Sequence, residues 1–221
     1  VKIASPDAVN PPLLKAAAAL GKPLLISTGT CELRELEFAA NLLRGHPAGG
    51  ALLQCVSSYP TPGHDAALGG IAALSDAFAL PVGYSDHTID LHTGALATAA
   101  GACVIEKHLT LDRHAAGPDH AASLEPAPFS QYVQRIREAA VMVGPRVKRP
   151  LKVELEVRAV SRQSVCARRD LRAGHVLTAD DLTVKRPGTG IPAARINEAL
   201  GRRLTRHVKA GDLLDDADLS A

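Results

Sequence analysis

The sequence predicts an α/β fold, a parallel sheet built from βαβ units, followed by a small and mostly β domain. Three observations carry this reading. Short apolar runs alternate with longer segments of helical character from residue 1 to about residue 144. The rhythm stops at a charged stretch holding two prolines, PRVKRPLKVELEVR. Beyond that stretch a short unit, RAGHVLTADDL at 172–182, recurs as KAGDLLDDADL at 209–219.

The apolar runs are VKIAS (1–5), PLLIST (23–28), GALLQCVSSY (50–59), PVGYSDHT (81–88) and CVIEKHLT (103–110). PPLLKAAAALG, CELRELEFAANLLRG, AALGGIAALSDAFA and LHTGALATAAGA lie between them, and FSQYVQRIREAAVMVG follows the last. In the second of these segments Leu33, Leu36, Ala40 and Leu43 fall near the spacing of a buried helical stripe. Strand and helix alternating at this pace means βαβ units. The pattern fits a five-stranded open sheet and part of a (β/α)₈ barrel equally well. Both place their sites at the C-terminal ends of the strands.

Residues 1–144 therefore read as one domain, 145–162 as an extended linker, and 163–221 as a second domain whose repeat implies internal pseudo-symmetry. Composition narrows the function. Lys and Arg total 25 against 23 Asp and Glu, with no concentrated basic run, so neither nucleic acid nor an anionic membrane is an expected partner. No apolar stretch reaches the roughly 20 residues that span a bilayer. The four cysteines show no CxxC spacing and read as free thiols of a reducing, cytoplasmic compartment. The chain begins at Val1, inside an expected strand, and reads as a fragment.

Side chains alternate faces along a strand, so Ser85 and His87 share one face while Tyr84 and Asp86 take the other. In the next run Glu106 and His108 share a face and Lys107 looks away. If the two strands are neighbours, His87 and His108 reach either one divalent ion or merely hydrogen-bonding partners of their own. Lys2, Ser5, Ser27, Ser57, Tyr59 and Ser85 occupy the other strand ends, and STGT at 27–30 leads into a helix start. Hydroxyls, an ammonium and helical amides gathered at one end of a sheet form a phosphate site.

KIASPD, PLLISTG, CVSSYP, VGYSDHT, IEKHLTLD, GPDHAASLEP and KRPGTGI, in this order, resemble the sialic acid synthase family over essentially the whole chain. The resemblance implies a (β/α)₈ barrel, of which this chain holds strands four to eight, followed by an antifreeze-like SAF domain. It implies condensation of phosphoenolpyruvate with an N-acylated hexosamine, N-acetylmannosamine or a close relative, to a sialic-type acid and phosphate. His87 and His108 match the metal ligands, usually to manganese. Lys2, Ser5, Ser27 and Ser85 match phosphoenolpyruvate contacts, and Ser57 stands where some members have asparagine. Glu106 matches an active-site carboxylate, and Asp7 stands where others have glutamate. Tyr59, Asp119 and Arg186 match residues around the amino sugar. Arg186 would arrive from the partner of a homodimer in which each SAF domain covers the other subunit's barrel. The GPDH loop resembles the neuraminate and legionaminate branch more than the pseudaminate branch. The competing expectation is a non-catalytic carbohydrate-binding or association module of the same ancestry.

Overall fold

The computed structural model describes residues 1–220; Ala221, the last residue of the expected second domain, lies outside them. Two compact units divide at Pro145 and Arg146. In the first, strands β1 (Lys2–Ile3), β2 (Leu24–Ser27), β3 (Gly50–Cys55), β4 (Val82–Asp86) and β5 (Ile105–Lys107) form one sheet in sequence order. Every neighbouring pair is parallel. Helices α1 (Pro11–Ala18), α2 (Glu37–Gly45), α3 (Gly69–Phe78) and α4 (Thr93–Ala99) make the crossovers, and α5 (Pro126–Val143) closes the unit.

The core lies on the helical side of the sheet. Leu24, Ile26, Leu52, Val82 and Tyr84 pack there against Leu14, Leu36, Ala40, Leu43, Ile71 and Phe78. Leu33, expected on the same stripe, is 45% exposed. Residues Leu33–Leu36 form a 3-10 turn before α2 begins, and three residues per turn instead of 3.6 rotate Leu33 off the buried face.

The opposite face is polar at its C-terminal end, and the sheet curls around it. Lys2 on one edge strand and Glu106 on the other approach to 3.5 Å between Nζ and Oε1. Five flat strands would hold those edges roughly 19 Å apart at the usual spacing. Two side chains do not bridge that gap unless the sheet bends.

A buried ion pair sits behind the register of β4 and β5, which pairs Ser85 with Glu106 and Asp86 with Lys107. Lys107 Nζ lies 3.2 Å from Asp86 Oδ2, with both side chains almost wholly buried. Tyr132 of α5 donates its hydroxyl to the same carboxylate at 2.7 Å. Burial pushes the Lys107 ammonium below its ordinary range, although Asp86 pulls the other way. Such a pair adds little net stability, but removing either partner would strand a charge at a cost of about 3–5 kcal/mol.

The second unit contains α6 (Leu155–Ser161), β6 (Ser164–Ala167), β7 (Leu182–Lys185), α7 (Ile196–Ala199), β8 (Arg203–Leu204) and β9 (Leu219–Ser220). The segment expected to be extended is therefore partly helical. Glu154 accepts a hydrogen bond from the Leu151 backbone at the start of a 3-10 turn, and α6 continues it. Pro145 and Pro150 both precede that turn, which leaves the helix unbroken.

The sequence repeat is a structural one. Leu171 and Val208 exchange reciprocal backbone hydrogen bonds, each being the counterpart of the other in the two copies. Gly174 donates to the Leu204 carbonyl and its counterpart Gly211 to Ala167. Both glycines have positive φ, 82° and 87°, which a side chain would strain. Arg169 grips Asp181, and Arg206 grips Asp218 in the same way.

Asp181 is fully buried and accepts from Arg169 Nε, His175 Nε2, Thr178 N and Thr178 Oγ1 at 2.7–2.9 Å. Burial alone would raise its carboxyl, but these hydrogen bonds win and hold it well below the usual carboxylate range. The resulting stability is present above the unfolded value of about 3.9 and drains away as pH falls towards the folded one. All three tyrosines and all three phenylalanines precede residue 146, so this unit must be followed by amide hydrogen exchange. We expect protection of β6 and β7 to drop below about pH 4. Asp181→Ala should remove about 3 kcal/mol at neutral pH and flatten the acid dependence. Unchanged acid sensitivity in that variant would assign the loss to other groups.

Candidate functional site

The site forms where β1 to β5 end. Ser27 is the last residue of β2, Cys55 ends β3, and His87 and His108 each stand one residue beyond β4 and β5. Alternation turns Ser27, Cys55, Ser85 and Glu106 to the face away from the core, together with Lys2. Ser85 donates to Glu106 Oε1 at 2.7 Å, the atom that also meets Lys2. These three groups form a row across the curl of the sheet.

A second row runs beside it. Ser5, in the 3-10 turn Ser5–Asp7, accepts a hydrogen bond from the Gly29 backbone at 3.0 Å and touches Cys55 Sγ at 3.5 Å. Ser27 is 2% exposed, and its hydroxyl has no hydrogen-bond partner among the described residues. A buried hydroxyl without a partner costs free energy that a bound polar group would recover.

Gly29 completes this corner. A Cβ there would lie 2.3 Å from Ser57 Oγ, 2.9 Å from Ser5 Oγ and 3.2 Å from Cys55 Sγ. Only a glycine lets three strand ends close to this distance. Neither Gly29 nor Cys55 was marked by the sequence as part of the site, because the signal lies in contacts between segments remote in the chain.

His87 is 4% exposed, and its Nδ1 hydrogen-bonds the Val56 carbonyl at 2.8 Å. A carbonyl can only accept, so Nδ1 carries a proton, and in the neutral ring Nε2 keeps its lone pair. The His108 ring lies 5.3 Å from that of His87, centre to centre, and has no side-chain hydrogen bond among the described residues. Tyr59 covers both rings, at 4.1 Å from His87 and 5.9 Å from His108. Two imidazoles with nitrogens about 2.1 Å from one ion are compatible with this spacing. Among the described residues no group of three or more His, Cys, Asp or Glu forms such a site.

Charges around the pair act in opposite directions. Burial and the neighbouring His87 push His108 down, while Asp119 and Glu106 pull it up. Burial opposes the charged form of His87 as well, but its contacts with Cys55 and the Val56 carbonyl prevail and raise it. Burial raises the Tyr59 hydroxyl, and the charge of Asp119 adds to this. Asp119 itself is exposed, on the loop that follows β5.

Not every expected residue joins the cluster. Asp7 is half-buried, and its side chain accepts a hydrogen bond from Asn10 at 3.5 Å. Ser57 is exposed beside Gly29. Arg186 belongs to the second unit, exposed just beyond β7. Among the described residues no helix is long and apolar enough to cross a membrane, and all four cysteines are free.

A curled parallel α/β sheet with hydroxyls and two histidines at its C-terminal strand ends and a lysine on its first strand, joined to a duplicated β unit, defines the class. A profile of the NeuB family matches residues 1–148 and one of the SAF domain matches residues 162–220. The chain belongs to the NeuB family. It is 41% identical over 219 residues to the N,N'-diacetyllegionaminic acid synthase of Legionella pneumophila, covering 97% of this chain and 62% of that protein. It is 33% identical to the pseudaminic acid synthase of Helicobacter pylori over 219 residues, covering 99% of this chain and 64% of that protein. The crystal structure of N-acetylneuraminic acid synthetase from Leptospira borgpetersenii superposes with a TM-score of 0.67 at 38% identity, covering 71% of this chain and 55% of that one. The chain thus spans less than two thirds of the length of these relatives.

Gly29→Ala tests the corner. The added methyl meets Ser5 Oγ, which is committed to the Gly29 amide, so we expect overpacking to cost about 1–3 kcal/mol in urea unfolding. Ser57→Ala in the same chain should recover part of the loss by removing the nearest atom. A stable Gly29→Ala protein would show that the three strand ends do not need this approach.

Proposed function

We propose that the chain is the larger part of a nonulosonic acid synthase that joins phosphoenolpyruvate to the aldehyde form of an N-acylated amino sugar. The observation that carries this is the juxtaposition of an anion cradle with an imidazole pair. Lys2, Ser5, Ser85 and the unpartnered Ser27 hydroxyl line one side. His87, His108 and Tyr59 line the other. In this reading β1 to β5 take places four to eight of a (β/α)₈ barrel.

Lys2 and the serines hold the phosphate of phosphoenolpyruvate, and Ser57 extends that cradle beside Gly29. The amino sugar lies over Tyr59, with Asp119 and the partner-derived Arg186 reading its polar groups. C3 of phosphoenolpyruvate then forms a bond to the aldehyde carbon, and the aldehyde oxygen takes up a proton. Water adds to C2 and gives up a proton, and the C2–O bond breaks to release inorganic phosphate. Glu106, held between Ser85 and Lys2, is placed to receive the proton of that water or to steady positive charge at C2. Asp7, two residues beyond Ser5, is assigned a second proton-handling role at the same mouth.

His87 and His108 fit a divalent metal, manganese in this proposal. The Val56 carbonyl orients one ring with its Nε2 free, and the other ring is uncommitted. The metal, when bound, would supply Lewis-acid polarisation of the aldehyde oxygen. Identity of 41% to a diacetyllegionaminic acid synthase against 33% to a pseudaminic acid synthase favours a legionaminate-type sugar over a pseudaminate-type one.

With the barrel closed, His87→Ala and His108→Ala should each lower kcat about a hundredfold or more and lose Mn²⁺ binding by calorimetry, His108→Ala with little change in unfolding and His87→Ala at a cost of about 1–3 kcal/mol for the unpaired Val56 carbonyl. Product formation at the wild-type rate in chelator would remove the metal from the reaction. Sustained binding of amino sugar without any release of phosphate would instead favour a carbohydrate-binding module.

The homodimer is tested by mixing. If Arg186 serves the partner's site, heterodimers of Arg186→Ala and His87→Ala contain one doubly impaired site and one intact site. Activity should return to roughly half per heterodimer. No recovery, with heterodimers demonstrated, would place Arg186 on its own subunit's surface.

A further inference from the structure

The excursion between β5 and α5 leaves the sheet and returns to the place it left. Leu109 and Leu124 form a parallel bridge, the Leu124 amide donates to the His108 carbonyl, and the Thr110 amide donates to Leu124. Residues 110–123 are thus a loop with both ends tied beside a proposed metal ligand. Asp119 lies on it, exposed, with no hydrogen bond to its carboxylate among the described residues.

One residue is fastened from two sides. His120 Nδ1 is 2.7 Å from Thr110 Oγ1, and Thr110 is itself 7% exposed and hydrogen-bonded to both the amide and the carbonyl of Asp112. The Gly117 backbone crosses the other edge of the ring, so closely that a Cβ there would fall 2.9 Å from His120 Cδ2. The Ser123 amide donates to the His120 carbonyl, while the Ala122 amide and the Ser123 hydroxyl both donate to the Asp119 carbonyl. The imidazole therefore links the start of the loop to its end across ten residues, next to Asp119.

We propose that His120 is a positioning residue, whose hydrogen bond to Thr110 holds Asp119 on the loop anchored beside His108 so that it can read the amino sugar. The proposal rests on the function assigned above. It gives the second half of the Asp-His pair a purpose that touches no substrate. Asparagine at 120 can both donate and accept near the place of Nδ1, so it should keep the lock; alanine should not. Thr110→Val keeps the shape of Thr110 and removes its hydroxyl, and it attacks the same bond from the other end.

Two readouts separate the lock from the reaction. In the 221-residue chain, amide exchange at Ala122 and Ser123 should quicken about tenfold in His120→Ala and Thr110→Val, the worth of one hydrogen bond, and stay near wild type in His120→Asn. In protein with the barrel closed, His120→Ala should raise KM for the amino sugar about tenfold, with KM for phosphoenolpyruvate and Mn²⁺ affinity unchanged. The effects of His120→Ala and Thr110→Val should not add.

Unchanged exchange in both variants would overturn the proposal. So would an equal rise in both KM values, which marks general damage, or a His120→Asn protein as impaired as His120→Ala, which marks chemistry by the imidazole. If the variants free the loop while the wild type makes no product, the lock stands and the assigned reaction falls.

Discussion

The parallel register of β4 against β5 is the constraint on which the rest of the first unit depends. It places Ser85 beside Glu106 on one face and Asp86 beside Lys107 on the other. A slip of one residue in β5 would exchange its faces, turning Lys107 into the cradle and Glu106 into the core, each away from its partner on β4. Asp86, Lys107 and Tyr132 oppose such a slip, because a buried carboxylate finds its ammonium and its phenol in only one alignment. The polar residues behind the sheet thereby hold the polar residues in front of it. They also bring His87 and His108 level, which neither residue could do alone.

Curvature has a different origin. The approach of Lys2 to Glu106 shows how far the sheet bends, but an exposed ion pair is too weak to cause the bend. Helices packed on one face alone, with small residues such as Gly29 and Gly83 on the other, let the inner ends of the strands close together. At Gly83 a side chain would strike Leu53 and the Val104 carbonyl. The tightness of the cradle is a property of what is missing from the inner face.

Much of this was legible in the sequence, since it follows from local periodicity. Alternation along VGYSDHT and IEKHLT assigned Ser85, His87, Glu106 and His108 to one face without knowledge of the fold. The repeat of RAGHVLTADDL foretold a duplicated unit, whose paired aspartates and glycines stand at equivalent places. What escaped notice is non-local. Gly29 looks like an ordinary turn residue until Ser5 and Ser57 arrive from other strands. The two prolines at 145 and 150 argued against a helix nearby, although both lie before α6 and constrain only its start.

The duplication in the second unit is an interleaved one. The backbone groups of each copy are satisfied by the other: Gly174 by Leu204, Gly211 by Ala167, Leu171 and Val208 by each other. Neither half could fold as a free-standing piece, because each would leave its own amides unanswered. Folding of the unit should accordingly be all-or-none, and each buried aspartate has a twin held by an equivalent arginine and an equivalent backbone amide, although His175 and Thr178 of the first copy are Asp212 and Asp215 in the second. Drift at one position is therefore judged against a standing copy of the original solution elsewhere in the same chain.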